Sequence, residues 1–249
     1  MKKQPLSAQV TFTNSYKDAN RAAAYAKLEY PGTYYLAFRD LPEIIFTHVK
    51  GRNAIDFGCG TGRSTRFLQG IGFDTIGVDI AEAMIEKAKE IDPDGDYRLI
   101  QDEDLNKMKR KTYDLVLSAF TFDNIPTRQK KVKILEQIAG LLKQEGKIVN
   151  LVSRPEIYVN EWVSFSTKDF PENKYAKSGD KVKIIITELE DKRPVEDIIW
   201  TDDDYREVYK QAGLELVKFY KPLAYENESY NWINETRIAP WIIYILKRK

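Results

Sequence analysis

The feature that most constrains the fold of this chain is a regular alternation of short β-rich runs with amphipathic helical segments, which begins near Arg52. The runs with strand character are 53–57, 75–78, 97–100, 113–119 and 147–152. The helical segments are 62–69, 81–90 and 127–144, the last with one apolar stripe that stops at Gly146. This order predicts right-handed crossovers and an α/β fold with a mostly parallel sheet, covered by helices on both faces.

The alternation breaks after Ser153. The segment 154–200 is rich in aromatic residues and contains two strand-like runs, 181–187 and 195–200, separated by the turn-rich stretch 189–194. Two such runs predict an inserted antiparallel β-hairpin, because no helical segment lies between them.

Regular structure is expected to return after this insertion. Thr201 precedes three aspartates, a pattern typical of an N-cap and first helical turn, so a helix is expected over 204–211. Two closing strands are expected at 214–220 and 240–246. The chain is thus expected to contain a mostly helical lid over 1–50, an α/β domain made of 51–153 and 201–249, and a substrate cap over 154–200.

Composition limits the classes of function. The 249 residues carry 39 Lys and Arg against 38 Asp and Glu, a net charge of +1, which argues against a nucleic-acid partner held by phosphate attraction. One cysteine, Cys59, excludes an intramolecular disulfide, and with one histidine, His48, the usual zinc clusters are excluded, so no metal is expected. His48 is expected at a surface or a helix end.

The hydropathy pattern predicts no membrane contact. The longest strongly apolar run, 241–246, is far shorter than the roughly 20 residues of a membrane span. Residues 1–5 do not lead into the apolar stretch of a signal peptide, so a cytoplasmic location is expected. A homodimer formed through the aromatic-rich insertion is kept open.

A glycine-rich turn follows the first strand, in the sequence AIDFGCGTG over 54–62. Asp56 ends the strand, and Gly58, Gly60 and Gly62 follow at alternate positions. Glycine lets a ligand lie against the backbone there, and the following helix start offers unpaired N–H groups. Arg63 stands where the dinucleotide fingerprint needs its third glycine, which disfavours a nicotinamide dehydrogenase. An acid beside the turn suits a ligand that carries positive charge.

Together with three later segments, this turn resembles the class I S-adenosylmethionine-dependent methyltransferases, a Rossmann-like family with a seven-stranded sheet, in its small-molecule type. The matching segments are FDTIGVDI over 73–80, which places Asp79 23 residues after Asp56, then QDEDL over 101–105 and YDLVLSAFTF over 113–122. The resemblance covers 52–153, and 201–249 more weakly.

The resemblance implies that S-adenosylmethionine is the cofactor. It places Gly58, Cys59 and Gly60 against the methionine part, near Asp56, and it gives the ribose hydroxyls to Asp79. It also places Ile80 and Met84 beside the adenine ring, assigns the adenine amino group to Asp102 and a backbone contact to Glu103, and sets Phe120 at the end of the fourth strand, where the cofactor meets the acceptor.

The side chains that face the methyl acceptor are less well defined by sequence. The candidates that follow the fourth and fifth strands are Phe122, Asp123, Glu156, Tyr158, Glu161 and Trp162, and Tyr16, Tyr25 and Tyr30 are candidates from the lid. Carboxylates beside aromatic faces suit an amine or cationic acceptor. No catalytic residue is assigned, because in-line methyl transfer requires a general base only when the acceptor must first lose a proton.

Other functions stay open at this point. An RNA or protein methyltransferase is the main alternative, although the basic run at 128–133 reads as the solvated face of a helix. The fourth strand ends in SAFT at 118–121, not in the Asn/Asp-Pro-Pro-Tyr/Phe motif of enzymes that methylate base amino groups. A protein that binds S-adenosylmethionine without catalysis is a further alternative. A small-molecule acceptor is favoured because of the insertion at 154–200.

Overall fold

A computed structural model describes residues 30–101 and 104–249. The helices are α1 (Thr33–Arg39), α2 (Leu41–His48), α3 (Arg63–Gly70), α4 (Glu82–Ile91), α5 (Arg128–Leu141) and α6 (Asp202–Gln211). The strands are β1 (Asn53–Phe57), β2 (Asp74–Asp79), β3 (Asp96–Leu99), β4 (Tyr113–Ala119), β5 (Leu142–Ser153), β6 (Phe165–Ser166), β7 (Lys181–Ile186), β8 (Val195–Ile198), β9 (Leu214–Tyr220) and β10 (Trp241–Arg248). Within these two ranges no helix is both long and apolar enough to cross a membrane.

The main sheet has seven strands in the order β3-β2-β1-β4-β5-β10-β9. The first five of these pair in parallel, and β10 pairs antiparallel with both β5 and β9. The chain order reverses beside β1, so the carboxyl ends of β1 and β4 meet at the point where open α/β sheets bind ligands. The predicted α/β class and seven-stranded, mostly parallel sheet are confirmed.

Two apolar layers cover the main sheet. One joins α1 and α2 to residues of the inserted strands, and the other joins α5 and α6 to the opposite face. The four central residues of β4, 115–118, are buried, as expected for a strand covered on both faces. Burial on both faces explains why this strand reads as a continuous apolar run.

The insertion forms a separate antiparallel sheet in the order β6-β7-β8. The predicted hairpin corresponds to β7 and β8, in which Val182 lies opposite Asp197. Strand β6 was not predicted from the sequence, because a strand of two residues has too little alternation to be recognised. β6 is fixed by tertiary contacts, since Phe165 pairs with Ile186 and lies in the core.

The predicted helix over 127–144 was too long by three residues. Helix α5 ends at Leu141, and Leu142 already has the extended conformation of β5, where it pairs with Tyr113. Leu142 continues the apolar stripe of the helix, so periodicity alone assigned it to the helix. Helix α6 starts two residues earlier than predicted, at Asp202, because Thr201 is its N-cap and accepts a hydrogen bond from the Asp204 N–H.

The described part of the N-terminal segment is helical and packs onto the main sheet. The indole N–H of Trp241 donates to the carbonyl of Thr33 at 2.9 Å, which joins α1 to the start of β10. The hydroxyl of Tyr30 donates to the carbonyl of Arg63 at 3.1 Å. Tyr16 and Tyr25 lie outside the described residues, so the proposed lid function of 1–50 stays a prediction.

Candidate functional site

The glycine turn after β1 folds back over the end of β2. The N–H groups of Gly58 and Cys59 both donate to the carbonyl of Val78, and Gly58, Gly60 and Gly62 all have positive φ. Positive φ favours glycine because a side chain would crowd the backbone. The conformation of the turn therefore requires the alternate glycines that the sequence contains.

Gly58 and Gly60 serve this turn differently. A Cβ on Gly58 would lie 2.1 Å from Oγ1 of Thr121, so the fourth-strand end is packed directly against it. A Cβ on Gly60 would meet nothing within 4 Å. The backbone at Gly60 thus borders open space that a ligand can fill.

Asp56 is buried beneath the turn with no exposed surface. Its Oδ2 accepts hydrogen bonds from Ser64 Oγ at 2.6 Å and Thr65 Oγ1 at 2.7 Å, while Oδ1 is buried without a partner in the described chain. Desolvation raises the pKa of Asp56 from 3.8 to about 6 against the effect of those two hydroxyls. An unpartnered buried acceptor at this place fits a ligand with positive charge.

Asp79 connects the glycine turn to the start of α4. Its Oδ2 accepts from the Gly60 N–H and its Oδ1 from the Ala81 N–H, both at 2.9 Å. Burial raises the pKa of Asp79, and these backbone donors act in the opposite direction. Each carboxylate oxygen has two lone pairs, so each can accept one further hydrogen bond. The backbone donors fix the orientation of the carboxylate and leave it acceptor capacity for hydroxyl groups.

The predicted adenine contacts differ in exposure. Ile80 directly follows β2 and is 47% exposed, an unusual position for a large apolar side chain unless a ligand covers it. Met84, in α4, is buried against Ala81. Cys59 is buried against Ile85 and Tyr97, and burial raises the pKa of its thiol. Asp102 and Glu103 lie outside the described residues, and their predicted contacts stay predictions.

The end of β4 lies between the glycine turn and a cavity. Phe120 has φ of 64°, in the left-handed region that side chains rarely adopt, and its N–H donates to the carbonyl of Leu151. Thr121 Oγ1 donates to the carbonyl of Phe57 at 3.0 Å. The Asp123 carboxylate accepts from the Ser153 N–H at 3.0 Å and the Tyr205 hydroxyl at 3.3 Å, and desolvation raises its pKa to about 6.

This cavity has a volume of about 40 Å³ and lies between the carboxyl ends of β4 and β5 and the inserted sheet. Its aromatic walls include Phe120, Phe165 and Trp241. Its polar side chains are Tyr34, Asp123, Asn124, Ser153, Tyr158 and Asp197. Because about 10–15 Å³ holds one water, this volume takes a group of a few heavy atoms.

The structure brings only some of the predicted acceptor residues together. Asp123 and Tyr158 line the cavity, and the Tyr158 hydroxyl donates to Asp197 Oδ2 at 3.1 Å. Phe122 instead packs against Phe57 in the core, and Trp162 is buried with its indole N–H bonded to the carbonyl of Ile157.

The two remaining acids among the predicted acceptor residues lie outside the cavity, and so does His48. Glu156 forms an ion pair with Arg154 and borders a neighbouring cavity of about 120 Å³. Glu161 accepts from the N–H and the hydroxyl of Thr167, so it fixes a loop. His48 is the last residue of α2, as expected, and its Nε2 lies 2.8 Å from the Tyr220 hydroxyl.

Several residues around the cavity were not singled out from the sequence. Among them are Tyr34, Asn124, Phe165, Asp197 and Trp241. Asp197 carried a usable signal, because it is an acid at a buried position of a strand. Tyr34 and Trp241 carried none, since they are far apart in sequence and meet only through the packing of α1 against β10.

Comparison with known proteins agrees with this geometry. Residues 55–150 match the model of a methyltransferase domain. An uncharacterized methyltransferase of Geobacillus sp. (strain WCH70) is 31% identical over 124 residues, which is 48% of this chain and 57% of that protein. The tRNA (carboxymethyluridine(34)-5-O)-methyltransferase of Saccharomyces cerevisiae is 29% identical over 118 residues, 46% of this chain and 40% of that protein. The chain thus spans less than two thirds of either relative.

Solved structures share the fold over most of the chain. An S-adenosylmethionine-dependent methyltransferase from Clostridium acetobutylicum aligns with a TM-score of 0.60 at 15% identity, over 90% of this chain and 94% of that one. The open α/β sheet with a glycine turn at its switch point has the architecture of a Rossmann-like domain. The domain match identifies residues 55–150 as a methyltransferase domain, and the chain shares its fold with a solved S-adenosylmethionine-dependent methyltransferase.

The site fits S-adenosylmethionine, the cofactor expected for a methyltransferase domain with this fold. The unpartnered Oδ1 of Asp56 lies under the turn, where positive charge is favourable. The backbone at Gly60 is open, and Asp79 has acceptor capacity for two ribose hydroxyls. The exposed side chain of Ile80 offers an apolar surface for an adenine ring.

Proposed function

We propose that this protein catalyses methyl transfer from S-adenosylmethionine to a small-molecule acceptor. The observation that carries the proposal is the cavity of about 40 Å³ at the carboxyl ends of β4 and β5. It adjoins the glycine turn through the segment 120–123, and the inserted sheet covers it. A cavity of this size admits a small reacting group and excludes most of the surrounding water.

In this proposal the cofactor lies along the edge formed by β1, β2 and β4. Gly58, Cys59 and Gly60 contact its methionine part, with Asp56 as the buried countercharge. Asp79 binds the ribose hydroxyls. Ile80, supported by Met84, contacts the adenine ring together with Asp102 and Glu103. Phe120 separates the cofactor from the acceptor cavity.

The protein's contribution to the reaction is mainly positional. When bound, the cofactor supplies a methyl group on a sulfonium, which is already activated for displacement. The chain must hold a nucleophile in line with that methyl group at about 3 Å, with water excluded. The aromatic walls of the cavity and the β6-β7-β8 sheet provide this confinement, so we propose 154–200 as the substrate cap.

An RNA acceptor is the second candidate, because the yeast relative acts on tRNA by its name. That match covers 46% of this chain, so it gives no information about the other half of the residues. The near-neutral net charge of +1 and the small cavity favour a small molecule. A cytoplasmic location and a homodimer stay predictions from the sequence.

The test is a methyl-transfer assay with S-adenosylmethionine labelled by deuterium in its methyl group. The purified protein is incubated in parallel with a metabolite extract and with unfractionated tRNA, and products are detected by mass. Labelled small molecules support the proposal, and label confined to tRNA refutes it. Binding of S-adenosylhomocysteine with label in neither fraction also refutes it, in favour of a non-catalytic binding protein.

A further inference from the structure

We infer that a second cavity, at the ends of β5 and β9, binds a short amino acid as its zwitterion. This cavity has a volume of about 120 Å³, and we call it the β10 cavity because Ile242 and Tyr244 of β10 line it. Among the described residues it shares only Ser153 with the cavity of about 40 Å³. The inference is therefore independent of the proposed methyl transfer.

The sheet topology brings groups of opposite charge to the β10 cavity from two sides. β5 and β9 both pair antiparallel with β10, so their carboxyl ends lie at the same edge of the sheet. Because β10 runs between them, these ends are two strand spacings apart, about 9.5 Å. Glu156 follows β5 by three residues, Lys221 directly follows β9, and both line the cavity. A ligand over β10 therefore meets an acid from one side and an ammonium from the other.

The Glu156 side of the cavity offers a hydrogen-bond acceptor that lacks a donor. Its Oε1 pairs with Arg154 at 2.5 Å, whereas its Oε2 is buried without a partner in the described part of the chain. A buried carboxylate oxygen without a donor costs free energy, because it has lost water and gained no replacement. The ammonium of an amino acid supplies N–H donors for this oxygen.

Two other groups of the cavity are donors that suit a carboxylate. Trp200 is buried, and its indole N–H has no acceptor among the described residues. The ammonium of Lys221 lies 5.3 Å from the ring centroid of Phe219, and this side chain is exposed, so it can turn towards a ligand at the mouth of the cavity. An indole N–H and an ammonium together match the two oxygens of a carboxylate.

Other polar side chains of the cavity already have partners. Asp202 accepts from the Tyr244 hydroxyl at 2.6 Å and forms an ion pair with Arg206 at 3.1 Å. The Tyr205 hydroxyl donates to Asp123 at 3.3 Å. These contacts leave the Glu156 oxygen and the two donors as the groups that a ligand would satisfy.

The class of ligand follows from this complementarity and from size. A simple carboxylate would leave the Glu156 oxygen without a donor, and a simple amine would leave the Trp200 N–H without an acceptor. A zwitterion with an ammonium at one end and a carboxylate at the other satisfies both. Because about 10–15 Å³ holds one water, 120 Å³ corresponds to roughly eight to twelve water-sized groups, enough for a short amino acid.

The experiment uses three probes with the same carbon skeleton: 3-aminopropionate, propionate and propylamine. Each is titrated into the full chain at neutral pH, where all three are charged, and binding is followed by ligand-observed NMR. Lys221→Met removes an exposed ammonium, and Lys218→Met, exposed on β9 outside the cavity, is its control. Glu156→Gln replaces the acceptor oxygen, and Glu145→Gln, exposed on β5, is its control.

We expect 3-aminopropionate to bind about tenfold more tightly than either other probe, which is the effect of one hydrogen bond between charged groups. Lys221→Met should remove most of its advantage over propylamine, because the carboxylate loses its partner. Trp200→Phe, which keeps a ring without the N–H, should reduce the same advantage. Glu156→Gln should remove most of its advantage over propionate. Both control variants should retain both preferences.

Several results would overturn the inference. They are equal binding of the three probes, absence of 3-aminopropionate binding, an unchanged preference in Lys221→Met or in Glu156→Gln, and an equal loss of preference in the control variants. The outcome is separate from that of the proposed function. Selective binding of 3-aminopropionate by a protein that fails to bind S-adenosylhomocysteine would support this inference and reject the methyl transfer.

Discussion

Replacement of Asp79 by alanine tests the most specific element of the cofactor site. The carboxylate accepts one N–H on each oxygen, from Gly60 and from Ala81, and has one acceptor position per oxygen left for the ribose. A hydrogen bond to a charged group contributes about 1.5–3 kcal/mol. Asp79→Ala should therefore weaken the binding of S-adenosylhomocysteine by about 10-fold to 150-fold.

The assay must separate a lost contact from a loosened turn, because Asp79 also fixes the backbone of Gly60. Isothermal titration is therefore done with S-adenosylhomocysteine and with its 2′-deoxy analogue. In the wild-type protein the missing hydroxyl should weaken binding, whereas in Asp79→Ala the two compounds should bind with nearly equal affinity. Asp74→Ala, at the exposed amino end of the same strand, is the control and should match the wild type.

Two results would refute the reasoning. Binding of S-adenosylhomocysteine by Asp79→Ala within twofold of the wild type would mean that the carboxylate does not contact the ligand. Weaker binding of both compounds with an undiminished preference for the 2′-hydroxyl would mean that Asp79 acts only by holding the turn.

Three further predictions concern the same turn. Gly60→Ala should cost about 1 kcal/mol of stability because of its positive φ, and it should weaken cofactor binding at least tenfold by filling the open space. Gly58→Ala, whose Cβ would meet Thr121, should cost more than about 2 kcal/mol in urea unfolding. A larger loss of stability in Gly60→Ala than in Gly58→Ala would contradict this interpretation. Thr121→Val should lose about 1 kcal/mol with its hydrogen bond to the Phe57 carbonyl, and an unchanged urea midpoint would argue against that contact. Because burial raises the pKa of Asp56 from 3.8 to about 6, the folded state holds this proton more tightly. The free energy of unfolding should therefore fall by about 2 kcal/mol between pH 4 and pH 7 relative to Asp56→Asn, and parallel pH profiles of the two proteins would contradict the assignment.

The part of the site that lies on the main sheet was predictable because it depends on local rules. Parallel strands end at one edge of a sheet, so Asp56, Asp79 and Phe120 had to lie along that edge once β1, β2 and β4 were recognised. The structure adds what spacing cannot show. Asp79 is bonded to the Gly60 N–H, and Thr121 Oγ1 bonds the Phe57 carbonyl.

The cavity at the carboxyl ends of β4 and β5 was less predictable because it depends on contacts between distant segments. Asp123 and Tyr158 were singled out as residues near strand ends, which is a local property. Phe122 and Trp162 shared that property, yet the backbone turns their side chains into the core. Whether a residue in an irregular segment faces a cavity depends on turn geometry, and a single sequence carries little information about that geometry.

The cavity is formed partly by the main sheet and partly by the inserted sheet, and this explains why a methyltransferase domain match says little about the acceptor. The matched residues, 55–150, contain the glycine turn, Asp79 and Asp123, but neither Asp197 nor the inserted sheet. Asp197 reaches the cavity because β8 pairs with β7 and presents it at a buried position beside the Tyr158 hydroxyl. The second carboxylate of the cavity thus belongs to the part of the chain that lies outside the matched domain.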